Sequence, residues 1–450
     1  MTEQYRGFST ENLAEKMTTN RNKKGLVLVA VLWLVVVLTT IVATVGRTSR
    51  LDMKVRQIGT EELRCKWACR AGIETAVGIL YEDPRDSDNL NDYWSDNDED
   101  FNDIALEGCY FTVRVIDEAS KLNVNVATRE QLLGLPYMEK YIVDAIIDWR
   151  DQDENPSAEG VEGGYYENLP FRYKIRNGPF RTIRELLLVK NVTEGLFYGE
   201  DTNFNGQLDY NERDGDQSPP ADDGDDELDE GWVAHLTCYS YDKNVDAYGN
   251  NRVNINEGDE GQLETSLGIR RPVARWIVQR RQNNQFQSIA DLIDDNSPQK
   301  PPDNPSDDPD QAEPLDLQTF RSIADKITVS NDGQIPGRVN INTASKYVLA
   351  ALLGGDDNAD QLAESIVAYR NGLYGGMQSI ADVMNVGSMN IATFKRIANY
   401  ITTRSDVYSI RCVATADRGG YRGATMQTQT VVDRNSSPCE ILYWYQGAGD

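Results

Sequence analysis

The chain has 450 residues, 40% of them hydrophobic, so it can bury substantial cores and is not a disordered polypeptide. Its formal net charge of −27 repels phosphate backbones and argues against general nucleic-acid binding. The sequence has a single histidine and no Cys-x-x-Cys pair, which gives little support to a zinc or dithiol site.

The first predicted element is a membrane-spanning helix. A polar, basic leader at residues 1–25 precedes twenty uncharged, mostly apolar residues from Leu26 to Val45. On a helix this run spans ~30 Å, the thickness of the hydrocarbon core of a bilayer. Basic residues at the end of the leader favour a cytoplasmic N-terminus. We therefore expect everything after Gly46 to lie outside the cytoplasmic membrane.

The same helix is predicted to continue beyond the membrane, because no proline occurs before Pro84 and apolar residues recur at helical spacing. These residues form one stripe: Leu51, Val55, Ile58, Leu63, Trp67 and Val77. The predicted helix covers residues 26–82. We expect the distal half of the stripe to pack against the protein's own sheet and the rest to meet partner helices.

The leader, its terminal glycine and the long helix together resemble type IV pilins and pseudopilins. The resemblance implies that a prepilin peptidase cuts after Gly25 and makes Leu26 the new N-terminus. Most members carry a glutamate at the fifth mature position, where this chain has Ala30. A buried carboxylate is costly without a partner, and a subunit at a filament tip has no neighbour above it. In lacking the glutamate, the chain resembles the K-type minor pseudopilins of type II secretion, which sit at the pseudopilus tip.

Three copies of a helical pattern follow a predicted strand at Gly108–Asp117. Each copy has an Asn-x-Asn tripeptide, a short helix, a second helix ending in arginine, a hydrophobic-x-Ser/Thr-Ile turn and a third helix. We expect the copies at about 119–200, 233–295 and 335–404. They resemble helix-hairpin-helix and SAM-like domains, some of which bind the DNA backbone. A membrane-anchored DNA-binding protein is therefore the alternative function, although only one of the three hairpins, Gly268–Ala274, is basic.

Alternating strand patterns return in residues 405–450, beyond a helical domain inserted at 119–404. With residues 83–118 they are expected to form a pilin-like head, a small antiparallel sheet packed on the long helix. The predicted fold class is therefore α+β. The DWRDQDENP stretch from Asp148, and the GGYY, GPF and ELLLVKNVT segments after it, again resemble the K-type pseudopilins. A third copy and the acidic stretches between copies exceed the usual pattern of that family.

Residues 201–212, DTNFNGQLDYNE, satisfy the positions of an EF-hand calcium loop. The predicted ligands are Asp201, Asn203, Asn205, the carbonyl of Gln207, Asp209 and Glu212. Only one such loop occurs and its exit cannot continue as a regular helix, so we expect a structural Ca²⁺ and not a calcium sensor. The resemblance also implies structural calcium in the inserted domain. A second metal site is predicted at Asp148, Asp151 and Asp153, where the alternative is a solvated acidic turn.

Six cysteines permit disulfide bonds in an exported protein. Cys412 and Cys439, on neighbouring C-terminal strands, are the predicted pair. Cys65 and Cys69 face the same side of the long helix, but helical geometry disfavours a bond between them.

An enzyme is not expected, because the sequence shows no Ser/His/Asp arrangement, phosphate-binding glycine loop or metal–histidine cluster. We expect a minor pseudopilin that caps the pseudopilus and supports protein export across the outer membrane. The resemblance implies minor pseudopilins I and J, the prepilin peptidase and the inner-membrane secretion platform as partners. Residues 26–45 would contact lipid, with a single pass through the inner membrane and the head in the periplasm.

Overall fold

The computed structural model describes residues 11–201, 208–215, 222, 224–302, 311–354, 358–419 and 422–448. The helices are α1 Glu11–Glu82, α2 Asp98–Phe101, α3 Arg129–Leu133, α4 Lys140–Arg150, α5 Gly163–Glu167, α6 Glu194–Tyr198, α7 Trp232–His235, α8 Glu260–Leu267, α9 Arg271–Asn283, α10 Leu317–Ile323, α11 Lys346–Leu352, α12 Ala359–Asn371 and α13 Ile391–Ile397. The strands are β1 Ile104–Leu106, β2 Cys109–Asp117, β3 Leu122–Asn123, β4 Leu236–Thr237, β5 Tyr241–Asp242, β6 Val253–Asn254, β7 Ile327–Thr328, β8 Ile335–Pro336, β9 Val339–Asn340, β10 Ile401–Thr402, β11 Val407–Asp417, β12 Arg422–Asp433 and β13 Glu440–Ala448.

Helix α1 is continuous from the leader into the head, as a proline-free segment with this apolar run predicts. Among the described residues it is the one helix long and apolar enough to cross a membrane. Every side chain from Gly25 to Thr60 is exposed, and burial begins at Glu61. Residues 25–60 of α1 therefore extend away from the core of the head with their side chains exposed.

The head is a five-stranded antiparallel sheet in the order β1-β2-β11-β12-β13, with α1 packed across it. Strand β2 alternates buried and exposed residues, as expected when one face of a sheet covers a core and the other meets solvent. The helix contributes buried residues at spacings of three and four: Cys65, Ala68, Cys69, Ile73, Ala76 and Leu80. The predicted α+β head is thus confirmed.

The expected packing of the distal apolar stripe is wrong for two of its members. Leu63 and Trp67 are 55% and 64% exposed, because the face of α1 that meets the sheet lies beside the stripe and includes Cys65 and Cys69. Leu51, Val55 and Ile58 are also exposed. From Leu51 to Trp67 the stripe is therefore an exposed apolar surface, whereas Val77 packs partly against the core of the head.

Three helical units in the insertion share the same internal hydrogen bonds. In each, the second asparagine of the Asn-x-Asn tripeptide accepts from, and donates to, the backbone of the turn residue before the third helical segment. The pairs are Asn125 with Phe180, Asn256 with Phe286, and Asn342 with Met377. The repeated tripeptide therefore has a structural role. Its second asparagine supplies hydrogen-bond partners to buried backbone groups that lie outside the sheet ladders.

The arginine that ends the second helix of each unit has one role as well. Arg370 on α12 donates to the carbonyl oxygens of Ile341 and Ala344, at 2.8 and 2.7 Å. Arg150 donates to the carbonyl oxygens of Val124 and Ala127, and Arg281 to those of Ile255 and Gly258, which are the equivalent groups of their own units. Each guanidinium thus supplies hydrogen-bond donors to one carbonyl oxygen within the tripeptide and to one in the turn that follows it.

Two-residue parallel ladders close the units, β3 with β4, β6 with β7, and β9 with β10. The ladders therefore enclose residues 122–237, 253–328 and 339–402, and the predicted boundaries of the copies stay predictions. The 201–212 segment lies inside the first unit, before β4, and not between two units. A strand of two residues is too short to show alternation of apolar and polar residues, so the sequence does not predict these ladders. The predicted likeness to helix-hairpin-helix or SAM-like domains stays a prediction.

The insertion begins and ends on neighbouring strands, because β2 pairs with β11 and Asp117 lies opposite Tyr408. Asp117 is buried there and accepts hydrogen bonds from Asn340 at 2.9 Å and Thr343 at 2.6 Å. The third unit is therefore tied to the root of the insertion.

Candidate metal centre

An acidic cluster forms where α4 ends and α5 begins. Asp148 lies in the last turn of α4, Asp151 caps its C-terminus, and Glu162 precedes α5. One carboxylate oxygen of each residue lies within 4.8 Å of the others. Asp148 is 0% and Glu162 9% exposed, so the three carboxyl groups (the acidic cluster) share a mostly buried space.

Several oxygens of the acidic cluster lack partners. Within the part of the chain that the structure describes, both carboxylate oxygens of Glu162 and Oδ1 of Asp151 are buried without a hydrogen bond. Asp148 accepts from the backbone N–H of Ser157 at 3.0 and 3.1 Å. Buried carboxylate oxygens without donors are costly, and a divalent cation would compensate them.

Close backbone approach shapes one wall of the cluster. A Cβ on Gly160 would lie 1.9 Å from Oδ2 of Asp148, so a side chain cannot fit there without moving the carboxylate. The side chain of Arg150, the nearest cation along the chain, turns away to the carbonyl groups of Val124 and Ala127. The carboxylate oxygens of the acidic cluster therefore lie close together, and the guanidinium of Arg150 does not neutralise them.

The electrostatics of the cluster follow from burial and like charge. Burial and the charges of Asp148 and Asp151 raise the pKa of Glu162 to about 7. Burial, followed by the charges of Asp153 and Asp148, raises the pKa of Asp151 above its ordinary value. Without a cation the cluster favours protonation; with Ca²⁺ the same oxygens would be ligands.

The structure changes one member of the predicted second site. Asp148 and Asp151 come together as predicted, whereas Asp153 is exposed and its Oδ1 accepts from the backbone and side chain of Asn155. Glu162 takes the third place, because the turn around Gly160 brings it back to α4. Sequence spacing favoured Asp153 over Glu162; the glycines flanking Glu162 were the one available signal.

The 201–212 segment is described only at its ends. Asn203, Asn205 and Gln207 lie outside the described residues. Glu212 is 1% exposed, its Oε2 accepts from the N–H of Asp209 at 2.9 Å, and its Oε1 is buried without a partner among the described residues. Burial, together with the charges of Asp201, Asp209 and Glu200, raises the pKa of Glu212. The end of the segment thus holds a buried carboxylate oxygen suited to a cation.

We expect the free energy of unfolding in chelator to fall as pH rises from about 4.5 to about 7. Over that interval the folded chain keeps a proton on Glu162 that the unfolded chain, with its ordinary pKa of 4.5, has released. Urea titrations at a series of pH values measure the slope. Glu162→Gln should remove this part of the slope and the exposed Glu167→Gln should keep it. Equal slopes in both variants would contradict the assignment.

The predicted processing residues lie on the exposed first part of α1. Leu26 is 75% exposed, and Gly25 and Ala30 are also exposed. The surface from Leu26 to Leu38 is therefore apolar throughout, position 30 included.

The sheet register contradicts the predicted Cys412–Cys439 bond. Cys412 pairs with Thr428, which lies opposite Gln446, whereas Cys439 precedes β13 beyond the Asp433–Glu440 pair. All six cysteines are thiols in this structure. The side chain of Cys412 is buried beneath the sheet, on the face that meets α1.

The first helical hairpin does not offer its backbone to a phosphate. A Cβ on Gly134 would lie 2.7 Å from Cα of Ala351, and one on Gly354 would lie 3.5 Å from the carbonyl oxygen of Glu130. The hairpins of the first and third units thus pack against each other. This packing weakens the alternative of DNA binding, because bound phosphate needs open amide groups.

Two family models described as type II secretion system protein K match the chain, one at residues 117–198 and the other at 339–404. These ranges fall on the first and third helical units, with the second unit between them. Type II secretion system protein K of Pseudomonas aeruginosa is 27% identical over 197 residues, 38% of this chain and 58% of that protein. Its counterpart in Pectobacterium carotovorum subsp. carotovorum is 26% identical over 204 residues, 39% of this chain and 60% of that protein. The chain thus spans less than two thirds of the length of these curated relatives.

A solved structure was also compared, the GspK–GspI–GspJ complex from the type 2 secretion system of enterotoxigenic Escherichia coli. The matching chain has a TM-score of 0.46 and 13% sequence identity, and the alignment covers 89% of this chain and 99% of that one.

Proposed function

The chain belongs to the family of type II secretion system protein K, and we propose that it is a minor pseudopilin at the tip of the pseudopilus. In this role it supports assembly of the filament and protein export across the outer membrane. Its first helix anchors it in the inner membrane and its head stands in the periplasm.

The observation that carries this proposal is the continuous α1 with its open apolar surface. Residues 25–60 are exposed along their whole length, and Ala30 stands where most pilins have a glutamate. A helix of this kind buries its apolar surface only in lipid or against other helices. Ala30 favours the tip, since no subunit above it supplies an amine for a carboxylate to pair with.

The insertion supports the capping role. It packs at one end of the sheet through Asp117 and its neighbours and adds three helical units to the head. Such a head would obstruct addition of a further subunit above it. Minor pseudopilins I and J would bind the stripe residues Leu51, Val55 and Ile58, which are 54%, 68% and 43% exposed. The secretion platform of the inner membrane would assemble the complex.

Calcium is part of the proposal, with a structural role in the first unit. Carboxylate oxygens are the ligands that Ca²⁺ prefers, and the acidic cluster and Glu212 both hold buried oxygens without donors among the described residues. Asp148, Asp151 and Glu162 would hold one ion; Asp201, Asp209 and Glu212 would contribute to another. Bound ions would remove the repulsion that raises the pKa of Glu162 and would order the acidic connections of the unit.

Intact mass of the membrane-extracted protein tests the proposed function. In cells that contain a prepilin peptidase we expect a species that begins at Leu26, because the enzyme cuts after Gly25. Gly25→Leu should leave the chain uncut, while Gly46→Ala, a glycine exchange on the same helix, should be processed normally. An uncut parent chain in such cells would refute the pseudopilin assignment.

A further inference from the structure

Four of the six cysteines lie together at the interface between α1 and the sheet. Cys65 and Cys69 are on the buried face of α1, Cys109 is on β2 and Cys412 is on β11. None of these side chains is more than 1% exposed. The cysteines thus face each other across the one surface that joins the long helix to the head.

The first facing pair is Cys65 and Cys109. Their Sγ atoms are 3.7 Å apart in the structure. A disulfide needs about 2.05 Å between sulfurs, so the two atoms must approach by less than 2 Å to form the bond. Burial, then the contact with Cys109, raises the pKa of Cys65 to about 12, as expected of a protonated thiol in an apolar core.

The second facing pair is Cys69 and Cys412. The Sγ of Cys69 lies 3.5 Å from the carbonyl oxygen of Cys412. The Sγ of Cys412 points at the helix, because a Cβ on Gly72 would lie 2.9 Å from it. A hydrogen bond with Cys69 is the largest cause that raises the pKa of the Cys412 thiol. Each thiol on α1 therefore has its own partner on a different strand.

We propose that this protein carries two disulfide bonds, Cys65–Cys109 and Cys69–Cys412, which join α1 covalently to two neighbouring strands of the head, β2 and β11. Cys238 and Cys439 remain thiols. The proposal rests on the proposed position of the head outside the cytoplasmic membrane, where disulfides form and persist.

Each bond forms by thiol–disulfide exchange with a disulfide-bearing oxidant. One cysteine thiolate attacks one sulfur of the oxidant's disulfide, which forms a mixed disulfide and releases the other oxidant sulfur as a thiolate. The partner thiolate then attacks the protein sulfur of the mixed disulfide, forms the protein disulfide and releases the remaining oxidant sulfur. Per bond, the protein loses two protons and two electrons, and the oxidant is reduced to a dithiol. Because the thiols are buried in the finished head, the exchange takes place before α1 closes on the sheet. Once formed, the bonds are shielded from reductants.

Packing alone is the competing account, since a free cysteine behaves as a small apolar residue. Packing accounts for the burial of four such residues but gives no reason for their arrangement as facing pairs. The two accounts differ in a measurable quantity, the number of thiols that react with an alkylating reagent after denaturation.

The test uses the full chain, extracted from membranes, denatured without reductant and treated with iodoacetamide. We expect two added carbamidomethyl groups, on Cys238 and Cys439, and six after reduction. Trypsin cuts after Lys66, between the two helix cysteines, so each disulfide appears as a separate linked peptide. Cys109→Ser should free Cys65, and Cys412→Ser should free Cys69, each adding one carbamidomethyl group. Six groups on a chain cut at Gly25, or any other pairing, would overturn the proposal.

Refolding separates this proposal from the proposed function. The reduced, denatured chain is refolded in detergent with a mixture of reduced and oxidised glutathione, and the linked peptides are mapped again. The same two bonds should form, and reduction should lower the Tm by roughly 5–10 °C. If refolding gives these bonds while the chain from cells is uncut and fully reduced, the proposed position of the head outside the cytoplasmic membrane is refuted, whereas the proposed pairing of the cysteines is supported. If refolding gives other bonds or none, the pairing is wrong.

Discussion

Arg434→Met is expected to lower the free energy of unfolding by about 3–5 kcal/mol, because it leaves buried carboxylates without their cation. Arg434 is 1% exposed and donates to Asp88 at 2.7 and 2.9 Å and to Asp83 at 2.8 Å. Asp88 is 0% exposed. Methionine has similar bulk, so the lost interaction is mainly electrostatic.

The residues around Arg434 explain why the effect is large. Asp83 follows the end of α1, Asp88 lies in the next loop, and Arg434 follows β12. Asp88 also accepts from the hydroxyl of Tyr408 and the N–H of Ser405, both at 2.7 Å. The guanidinium therefore holds the end of the long helix to the sheet at the point where the insertion begins.

Urea titration of the detergent-solubilised chain, followed by tryptophan fluorescence, measures the change. Trp94 is a suitable reporter because its ring lies 5.1 Å from that of Tyr408. Arg172→Met replaces an exposed arginine and should change stability by less than about 0.5 kcal/mol. Adding Asp88→Asn to Arg434→Met should restore part of the loss. A loss in the single variant no larger than in Arg172→Met would show that Asp88 tolerates burial alone.

Calcium is expected to raise the Tm of the chain relative to chelator. At a calcium concentration of 100 Kd, one site stabilises the folded state by about 2.7 kcal/mol, which corresponds to a rise of roughly 3 °C for a chain of 450 residues. Glu162→Gln removes one ligand charge from the acidic cluster and should abolish most of that rise. Glu212→Gln tests the 201–212 segment in the same way. The losses of calcium-induced Tm rise in the two single variants should add in the double variant.

Differential scanning fluorimetry in calcium and in chelator measures these shifts. Glu167→Gln is the matched control, since Glu167 is exposed on α5 close to the cluster. It should keep the whole calcium response. A parent chain with the same Tm in calcium and in chelator would refute calcium binding, whereas a loss confined to Glu212→Gln would assign the ion to the 201–212 segment alone.

The head could be predicted from the sequence because its signals are local. The absence of proline up to Pro84 and the apolar spacing predict the end of α1 at its observed position, Glu82, whereas its start at Glu11 lies before the predicted residue 26. Alternation predicts β2, which the structure places at Cys109–Asp117. These features depend on residues a few positions apart, where backbone geometry sets the periodicity.

The errors concern contacts between distant residues. The register of three strands decides where Cys412 lies relative to Cys439, and no single strand contains that information. Glu162 reaches Asp148 through a turn that depends on Gly160, whereas Asp153 is nearer in sequence and turns to Asn155. The pairing of β3 with β4 was not predicted, because each strand is two residues long and the two lie at opposite ends of the first unit.

The adjacency of β2 and β11 has a mechanical consequence. Both ends of the insertion emerge from paired strands, so tension along α1 passes into the sheet without crossing a helical unit. An insertion with more or fewer helical units would therefore leave the transfer of tension from α1 to the sheet unchanged. A force that pulls on the helix would therefore act first on the helix–sheet interface and not on the interior of the helical units.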